Sequence, residues 1–93
     1  MKIIYKYQLD KVYNQKVMIP QNGIILKVAV QRDQPCLWVL HEIDSLLNEE
    51  IDIFIVGTGE RFDEENVEHI DTFLTENDTF VFHVFKTTAT YIK

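Results

Sequence analysis

The stretch HIDTFLTENDTFVFHVFK, residues 69–86, decides the fold because it has the pattern of a β-hairpin. Two runs rich in β-branched and aromatic residues, 69–75 and 79–86, flank the polar residues 76–78, which is typical of paired strands joined by a short turn. The second run is apolar on both faces except at His83, as in strands that are covered on both sides. We therefore expect a hairpin whose second strand lies inside a sheet.

The same period of two extends outward through most of the chain, and it predicts strands with one buried face. Further strands are expected at residues 2–9, 16–19, 24–31, 36–42 and 51–56. Turns are expected at Pro20–Gly23 and at Arg32–Pro35, and the second of these makes residues 24–42 another hairpin. Within this hairpin, the side chains expected to face the core from the first strand are those of Ile24, Leu26, Val28 and Val30.

These strands predict a mainly β fold in a single domain over residues 1–93, either a small antiparallel β-sandwich or a partly open barrel. Only residues 63–70 favour a helix, because Asp63 could cap a short turn that has Glu64 and Glu65 at its positive end. An irregular loop fits the same residues equally well. We expect at most one short helix, near residues 63–70.

The chain is acidic overall, with 9 Lys and Arg against 15 Asp and Glu, a net charge of −6 and a pI of about 4.9. This balance argues against nucleic-acid binding, because nucleic-acid-binding proteins gain affinity by neutralising phosphates. Residues 1–35 hold six basic and two acidic side chains, whereas residues 42–78 hold 13 acidic side chains and Arg61 alone. Such a division predicts either a dipolar surface that orients partners or two ordinary solvated faces.

Two features of the sequence predict a location in the cytoplasm. No apolar run is long enough to span a membrane, and the residues after Met1 have a strand pattern instead of that of a signal peptide. Cys36, the single cysteine, cannot form an internal disulfide, which agrees with a reducing compartment. We therefore expect a cytoplasmic protein without membrane contact, in which Cys36 is a small buried residue.

The glycines Gly57 and Gly59 follow a predicted strand and invite comparison with phosphate-binding loops. The dinucleotide fingerprint would need glycine in place of Phe62, and the Walker pattern lysine in place of Glu60, so neither motif is present. The glycines are expected to serve a sharp bend or a close backbone approach at the end of a strand. Their N–H groups could still meet a ligand.

Side chains for catalysis or metal binding lack a recognisable arrangement in the sequence. Ser45 is the only serine and has no flanking motif, and the three histidines lack the spacing of metal ligands. We expect neither an enzyme nor a bound metal or cofactor. His83 is either a satisfied core group or the polar group of a pocket. Trp38 and Tyr5 are either core residues or surfaces on which a ring could stack.

Short motifs spaced over residues 2–86 give the chain a further signature. They are Ile4-Tyr5-Lys6-Tyr7, the Pro20–Gly23 turn before Ile25-Leu26, Gln31 before Leu37-Trp38, Gly57-Thr58-Gly59, Ile70-Asp71-Thr72 and the closing Val81-Phe82-His83-Val84-Phe85. Together they resemble a family of small proteins encoded by bacteriophages and prophages. Asp71 stands where the family pattern has glycine, and Glu60 stands where it has histidine.

The resemblance implies a non-enzymatic phage protein that counters host defence by sequestering a nucleotide-derived small molecule, an immune signal of the ADP-ribose type. It also implies action in the cytoplasm of a bacterial host, and a homodimer or higher homo-oligomer is expected. The residues implied for ligand binding are Gly57, Thr58 and Gly59 through their backbone, Arg61 or a lysine of residues 1–35 for phosphates, Trp38 or Tyr5 for stacking, and His83 for one hydrogen bond. The alternatives are an acidic module that inhibits a host protein through residues 42–78, and a phage structural or assembly factor.

Overall fold

The computed structural model describes residues 1–75 and 77–88, and in these residues it contains seven β-strands and no helix. The strands are β1 (Lys2–Gln8), β2 (Asn14–Pro20), β3 (Ile24–Gln31), β4 (Gln34–Glu42), β5 (Asn48–Gly57), β6 (Val67–Leu74) and β7 (Val81–Thr87). They form two antiparallel sheets, a first sheet with the order β1-β4-β3 and a second sheet with the order β2-β5-β7-β6. The sheets pack face to face as a small β-sandwich without a closed barrel, so the predicted mainly β fold is confirmed.

Both predicted hairpins are present, because β3 pairs with β4 and β6 pairs with β7. β7 lies between β5 and β6, which confirms its expected place inside a sheet. The inner face of β7 carries Val84, which is fully buried. On the outer face, Phe85 is covered by Phe62 from the loop before β6, with the two ring centroids 4.7 Å apart. Both faces of β7 are therefore covered, the inner face by the core and the outer face by Phe62, which explains why the strand is apolar on both sides.

The short helix considered for residues 63–70 is not formed, since residues 61–66 are irregular and β6 begins at Val67. Asn66 adopts a left-handed φ of 57°, which no right-handed helix accommodates. The contact of Phe62 with the second sheet also holds the start of this segment against β7. The irregular loop is thus the correct alternative. No helix in residues 1–75 and 77–88 is long and apolar enough to cross a membrane.

The core lies between the two sheets and is built from the inward-facing side chains of both. Its buried members are Leu9, Ile19, Val28, Leu37, Val39, Ile53, Phe73 and Val84. Val39 from the first sheet and Ile53 from the second are completely excluded from solvent. Burial of an aliphatic side chain of this size stabilises the fold by roughly 1.5–3 kcal/mol. Cys36 is buried as well, which confirms the prediction made for it.

The predicted inward face of β3 is wrong in its first half. Ile24 and Leu26 are 54% and 49% exposed, whereas Ile25 packs against the core. A β-bulge explains the difference, because the pairing with β4 is irregular between Ile25 and Lys27 and skips the residue between them. One extra residue moves every side chain on one side of the bulge to the opposite face. Beyond the bulge, Val28 faces the core as predicted.

The two predicted turns are present, but the second covers only Arg32 and Asp33, because Gln34 and Pro35 already belong to β4. In the first turn, the N–H of Gly23 donates to the carbonyl oxygen of Pro20 at 3.0 Å, and the positive φ of 65° belongs to Asn22. Gly23 is needed for space, since a Cβ there would lie 2.8 Å from Cγ1 of Val39. The β3–β4 turn places both central residues in the left-handed region, as in the type I′ turns that suit the twist of a hairpin.

Asp71 joins the two sheets where the edge strands β3 and β6 lie side by side. Its Oδ2 accepts the N–H of Val28 at 2.7 Å, and its Oδ1 accepts the N–H of Thr72 at 2.8 Å. Val28 stands in an edge strand, so its N–H group would otherwise have no ladder partner on that side. The carboxylate therefore takes the place of a neighbouring strand for this N–H group at the seam.

Candidate functional site

A cleft of about 640 Å³ opens at one end of the sandwich, and we call it the inter-sheet cleft. The β1–β2 loop, the β3–β4 turn and the β5–β6 loop surround it, because these connections all leave the same end of the two sheets. Its apolar walls come from side chains of both sheets, among them Val30, Ile55, Phe73 and Phe82. Sites for small molecules usually enclose 300–1,000 Å³ and are mostly apolar. The cleft therefore has the size and the lining of a small-molecule site.

The rim of the inter-sheet cleft carries charges of both signs. Lys11 Nζ lies 3.1 Å from Asp33 Oδ2 across the rim. Arg61 Nε lies 2.5 Å from an oxygen of Asp63, and both side chains are mostly exposed. Exposed ion pairs of this kind contribute at most about 1 kcal/mol, so an incoming ligand can exchange with them at low cost. Lysine and arginine at this rim are thus available to an anionic group.

The loop of Gly57, Thr58 and Gly59 connects the cleft to the outer face of the second sheet. The N–H of Gly57 donates to Glu60 Oε1 at 2.5 Å, and the N–H of Thr58 donates to the carbonyl oxygen of Val81 at 3.1 Å. Two N–H groups that the resemblance assigned to a ligand are therefore engaged within the chain. Gly59 has a φ of 90°, which a residue with a side chain rarely adopts, so it serves the sharp bend that was predicted.

Two predicted site residues, Thr58 and His83, are in contact on the outer face of the second sheet. Oγ1 of Thr58 lies 2.7 Å from Nε2 of His83, whose Nδ1 lies 3.1 Å from Oγ1 of Thr72. The same hydroxyl oxygen lies 2.8 Å from Nε2 of His69. These four residues form what we call the outer-face network. Both ring nitrogens of His83 therefore have a polar neighbour. The ring lies on the outer face of the second sheet and not in the core, which was one of the two positions expected for it.

The outer-face network is too sparse to hold a metal ion on its own. Two imidazoles converge on one hydroxyl, whereas structural metal sites use about four ligands and catalytic zinc sites about three. In residues 1–75 and 77–88, no group of three or more His, Cys, Asp and Glu side chains has a metal-binding arrangement. Polar side chains in this network instead order the loop that leads to the cleft.

Tyr13 belongs both to the rim of the inter-sheet cleft and to an aromatic row on the second sheet. Its ring lies edge-on to Phe54, with centroids 5.5 Å apart, and also contacts Phe62. Its hydroxyl donates to Glu64 Oε2 at 3.1 Å. Partial burial, followed by the hydrogen bond and the charge of Glu64, raises the pKa of the Tyr13 phenol above its ordinary value of 10.0.

Replacement of Glu64 by glutamine should lower the pKa of Tyr13 toward 10.0 without restoring it fully, since burial is the largest cause of the shift. The pKa of the Tyr13 phenol is higher in the folded chain than in the unfolded chain. The contribution of Tyr13 to stability is therefore complete below pH 10.0 and is lost as the pH rises through the pKa of the folded state. NMR titration of ring-labelled tyrosine measures the pKa directly. Glu65→Gln is the matched control, and an equal shift in both variants would contradict the assignment to Glu64.

The structure does not bring all the predicted site residues together. Arg61 lines the inter-sheet cleft, and the glycine loop leads from it to Thr58 and His83. Trp38 stands on the outer face of the first sheet, opposite Lys6 and Lys27 in the neighbouring strands. Tyr5 lies one register position away on the inner face of that sheet, where its half-exposed ring is edge-on to His41 with centroids 5.3 Å apart. Trp38 and Tyr5 therefore cannot stack on a ligand in the cleft.

Sequence reasoning missed Tyr13 and Asp33 as members of the cleft, and it did not single out Lys11 among the lysines of residues 1–35. These residues lie in connections between strands and have no motif around them. Their common feature is that the strands they join end on the same side of the sandwich. Strand order is needed to see this, and local sequence patterns do not contain it.

The chain is a small two-sheet β protein with a cleft between the sheets. The chain belongs to a family described as a domain of unknown function, DUF7352, whose model matches residues 1–92. Comparison with the curated proteins gave no match, and comparison with the solved structures gave none either. A function for this chain therefore has to be inferred from the geometry of the cleft.

Proposed function

We propose that this chain is a non-enzymatic binding protein that holds a nucleotide-derived small molecule in the inter-sheet cleft. The observation that carries the proposal is the combination of aromatic walls with a rim of mixed charge. Phe82 is stacked on the buried ring of Phe73, with centroids 5.6 Å apart, and the rings of Phe82 and Tyr13 line the cleft and suit a planar base. A base stacked on aromatic side chains gains about 1–3 kcal/mol for each contact.

The charges at the rim match the other parts of a nucleotide. Arg61 and Lys11 are suited to phosphate oxygens, arginine through two parallel hydrogen bonds and lysine as a point charge. The carboxylates of Asp33 and Glu60 are acceptors that suit the hydroxyl groups of a ribose. A ligand with a ring, a sugar and phosphates would therefore find a chemical partner for each part in one cleft.

The resemblance to small phage proteins suggests the biological role, which is to sequester an ADP-ribose-type immune signal made by a host defence enzyme. Sequestration needs tight binding and no chemistry. A dissociation constant below about 10 μM, or roughly −7 kcal/mol, is the minimum for a useful effect. The proposal therefore predicts that ligand recovered from the protein is chemically unchanged, which mass spectrometry of the released ligand can check.

Arg61→Gln is expected to weaken the binding of ADP-ribose by about 10- to 100-fold, because a charge-assisted hydrogen bond to phosphate contributes about 1.5–3 kcal/mol. Isothermal titration calorimetry with ADP-ribose, cyclic ADP-ribose and AMP measures the effect. Arg32→Gln removes the same charge from the β3–β4 turn and should bind like the parent protein. The proposal fails if none of the three ligands binds below about 10 μM, or if the two arginine variants lose affinity equally.

A further inference from the structure

The outer face of the first sheet presents large apolar side chains to solvent, and we call it the tryptophan face. Its central row is Lys6, Trp38 and Lys27, which are directly opposite one another in β1, β4 and β3. The next row is Ile4, Leu40 and Ile24, and Leu26 projects outward at the bulge of β3. Ile4, Ile24 and Leu26 are each about half exposed, so the face as a whole is apolar with lysines among the aliphatic groups.

The apolar surface continues beyond the sheet into the loop between β4 and β5. Leu46 is 93% exposed and Leu47 is 64% exposed. Both line a second cleft of about 700 Å³ at the opposite end of the sandwich from the inter-sheet cleft, and Ile24 and Leu40 line the same cleft. Contiguous exposed apolar surface of this kind is uncommon on soluble monomers and marks interaction sites. The β3 bulge enlarges it by turning Ile24 and Leu26 outward.

The charge on the tryptophan face is positive. Lys6 and Lys27 flank Trp38, and Lys2 lies at the margin, beside the second cleft. Glu42, which stands opposite Lys2, is already paired with the N-terminal amine at 3.3 Å. Most acidic residues that lie in β-strands belong to the second sheet. They are Glu49, Glu50, Asp52, Glu68 and Asp71. This sheet also includes β2, however, with Lys16 from the basic half of the sequence.

We propose that the tryptophan face docks an acidic segment of a partner protein in which large apolar and acidic side chains alternate. Apolar groups of such a segment would cover Trp38, Leu26 and Ile24, and its carboxylates would meet Lys6 and Lys27. Complementary charge of this kind speeds and directs association, while the apolar contacts supply most of the affinity. This surface is separate from the inter-sheet cleft, so the proposal stands independently of the proposed function.

Other occupants fit the face less well. A second copy of the chain placed face to face would bring the Lys6 and Lys27 rows of two protomers together, and like charges in contact are unfavourable. A second copy that offered its acidic sheet would make a head-to-tail contact, which builds a ring or a filament instead of a two-fold dimer. A single tryptophan among aliphatic side chains provides only one stacking surface for a nucleic acid.

Trp38 is the only tryptophan, so its fluorescence reports on this face alone. We expect a synthetic peptide of alternating Glu and Leu to shift the emission of Trp38 to shorter wavelength and to protect it from acrylamide. A peptide of alternating Lys and Leu should do neither. Binding of the acidic peptide should weaken at least about tenfold between about 0.05 M and 0.5 M salt, because exposed charges are screened.

Lys27→Glu should weaken the binding of the acidic peptide by at least about tenfold, because it places a negative charge beside Trp38 that repels the carboxylates of the peptide. Lys16→Glu makes the same charge reversal on the second sheet and should leave binding unchanged. Equal loss in both variants, or equal binding of the two peptides, overturns the proposal. The proposal is also overturned if the acidic peptide does not shift the emission of Trp38 but another occupant does. The other occupants to test are anionic vesicles, oligothymidylate and, through rising protein concentration, a second copy of the chain.

Discussion

Leu37→Ala is expected to lower the free energy of unfolding by about 3 kcal/mol, because a buried leucine truncated to alanine loses its apolar transfer energy and leaves a cavity. Leu37 is 0% exposed and stands in β4, the central strand of the first sheet. A domain of this size has a total stability of only about 5–15 kcal/mol, so the loss is a large fraction of the whole. Urea denaturation followed by circular dichroism measures the change.

The chain contains its own control for this experiment. Leu46→Ala makes the same chemical change at a side chain that is 93% exposed, and it should alter stability by no more than about 0.5 kcal/mol. Leu37→Met keeps most of the side-chain volume and should cost less than about 1.5 kcal/mol, so it remains measurable if the alanine variant does not fold. Equal destabilisation by Leu37→Ala and Leu46→Ala would show that the proposed core is wrong.

Asp71→Ala is expected to lower the free energy of unfolding by about 2 kcal/mol, because it leaves the N–H of Val28 without the carboxylate that accepts it. Hydrogen bonds to a charged acceptor are about twice as strong as neutral ones, and an unsatisfied donor keeps its full desolvation cost. Amide hydrogen exchange adds a local test. The N–H of Val28 should exchange much faster in the variant, while that of Val39 in the central strand should change only with global stability.

Asp44→Ala is the matched control for Asp71→Ala, since it removes a carboxylate from the exposed β4–β5 loop. It should change neither the stability nor the exchange of Val28 by a measurable amount. Asp71→Gly would test whether a residue without a side chain can replace the link between the sheets. We expect it to be at least as destabilising as alanine, because glycine also gives the unfolded chain more freedom. A stability equal to that of the parent protein would exclude the role assigned to Asp71.

The candidate site was only partly predictable from the sequence. Arg61, which the resemblance implied for phosphates, lines the inter-sheet cleft. Thr58 and His83 were predicted and are in contact, although they serve the outer-face network and do not line the cleft. Trp38 and Tyr5 were predicted together but lie on opposite faces of the first sheet. Successive register positions alternate between faces, so the register decided where each ring points.

The β3 bulge is a feature that the local sequence pattern did not predict, and it decides which face of the sheet the side chains of β3 point to. Ile24, Leu26 and Val28 alternate without interruption in the sequence, yet the pairing with β4 skips one residue and divides them between the two faces. A bulge depends on the partner strand and on the packing of the opposite sheet, neither of which is encoded in eight consecutive residues. The bulge enlarges the tryptophan face, because it turns Ile24 and Leu26 outward.

Alternation of apolar and polar side chains, together with short polar turns, was enough to determine the strands, the two hairpins and the central place of β7, because each of these depends on residues close together in the chain. Tertiary structure alone decided which strand ends meet around the cleft, that the carboxylate of Asp71 closes the seam, and that most acidic side chains of the strands gather in the second sheet. These features join residues far apart in the sequence, and their energies appear only when the two sheets pack.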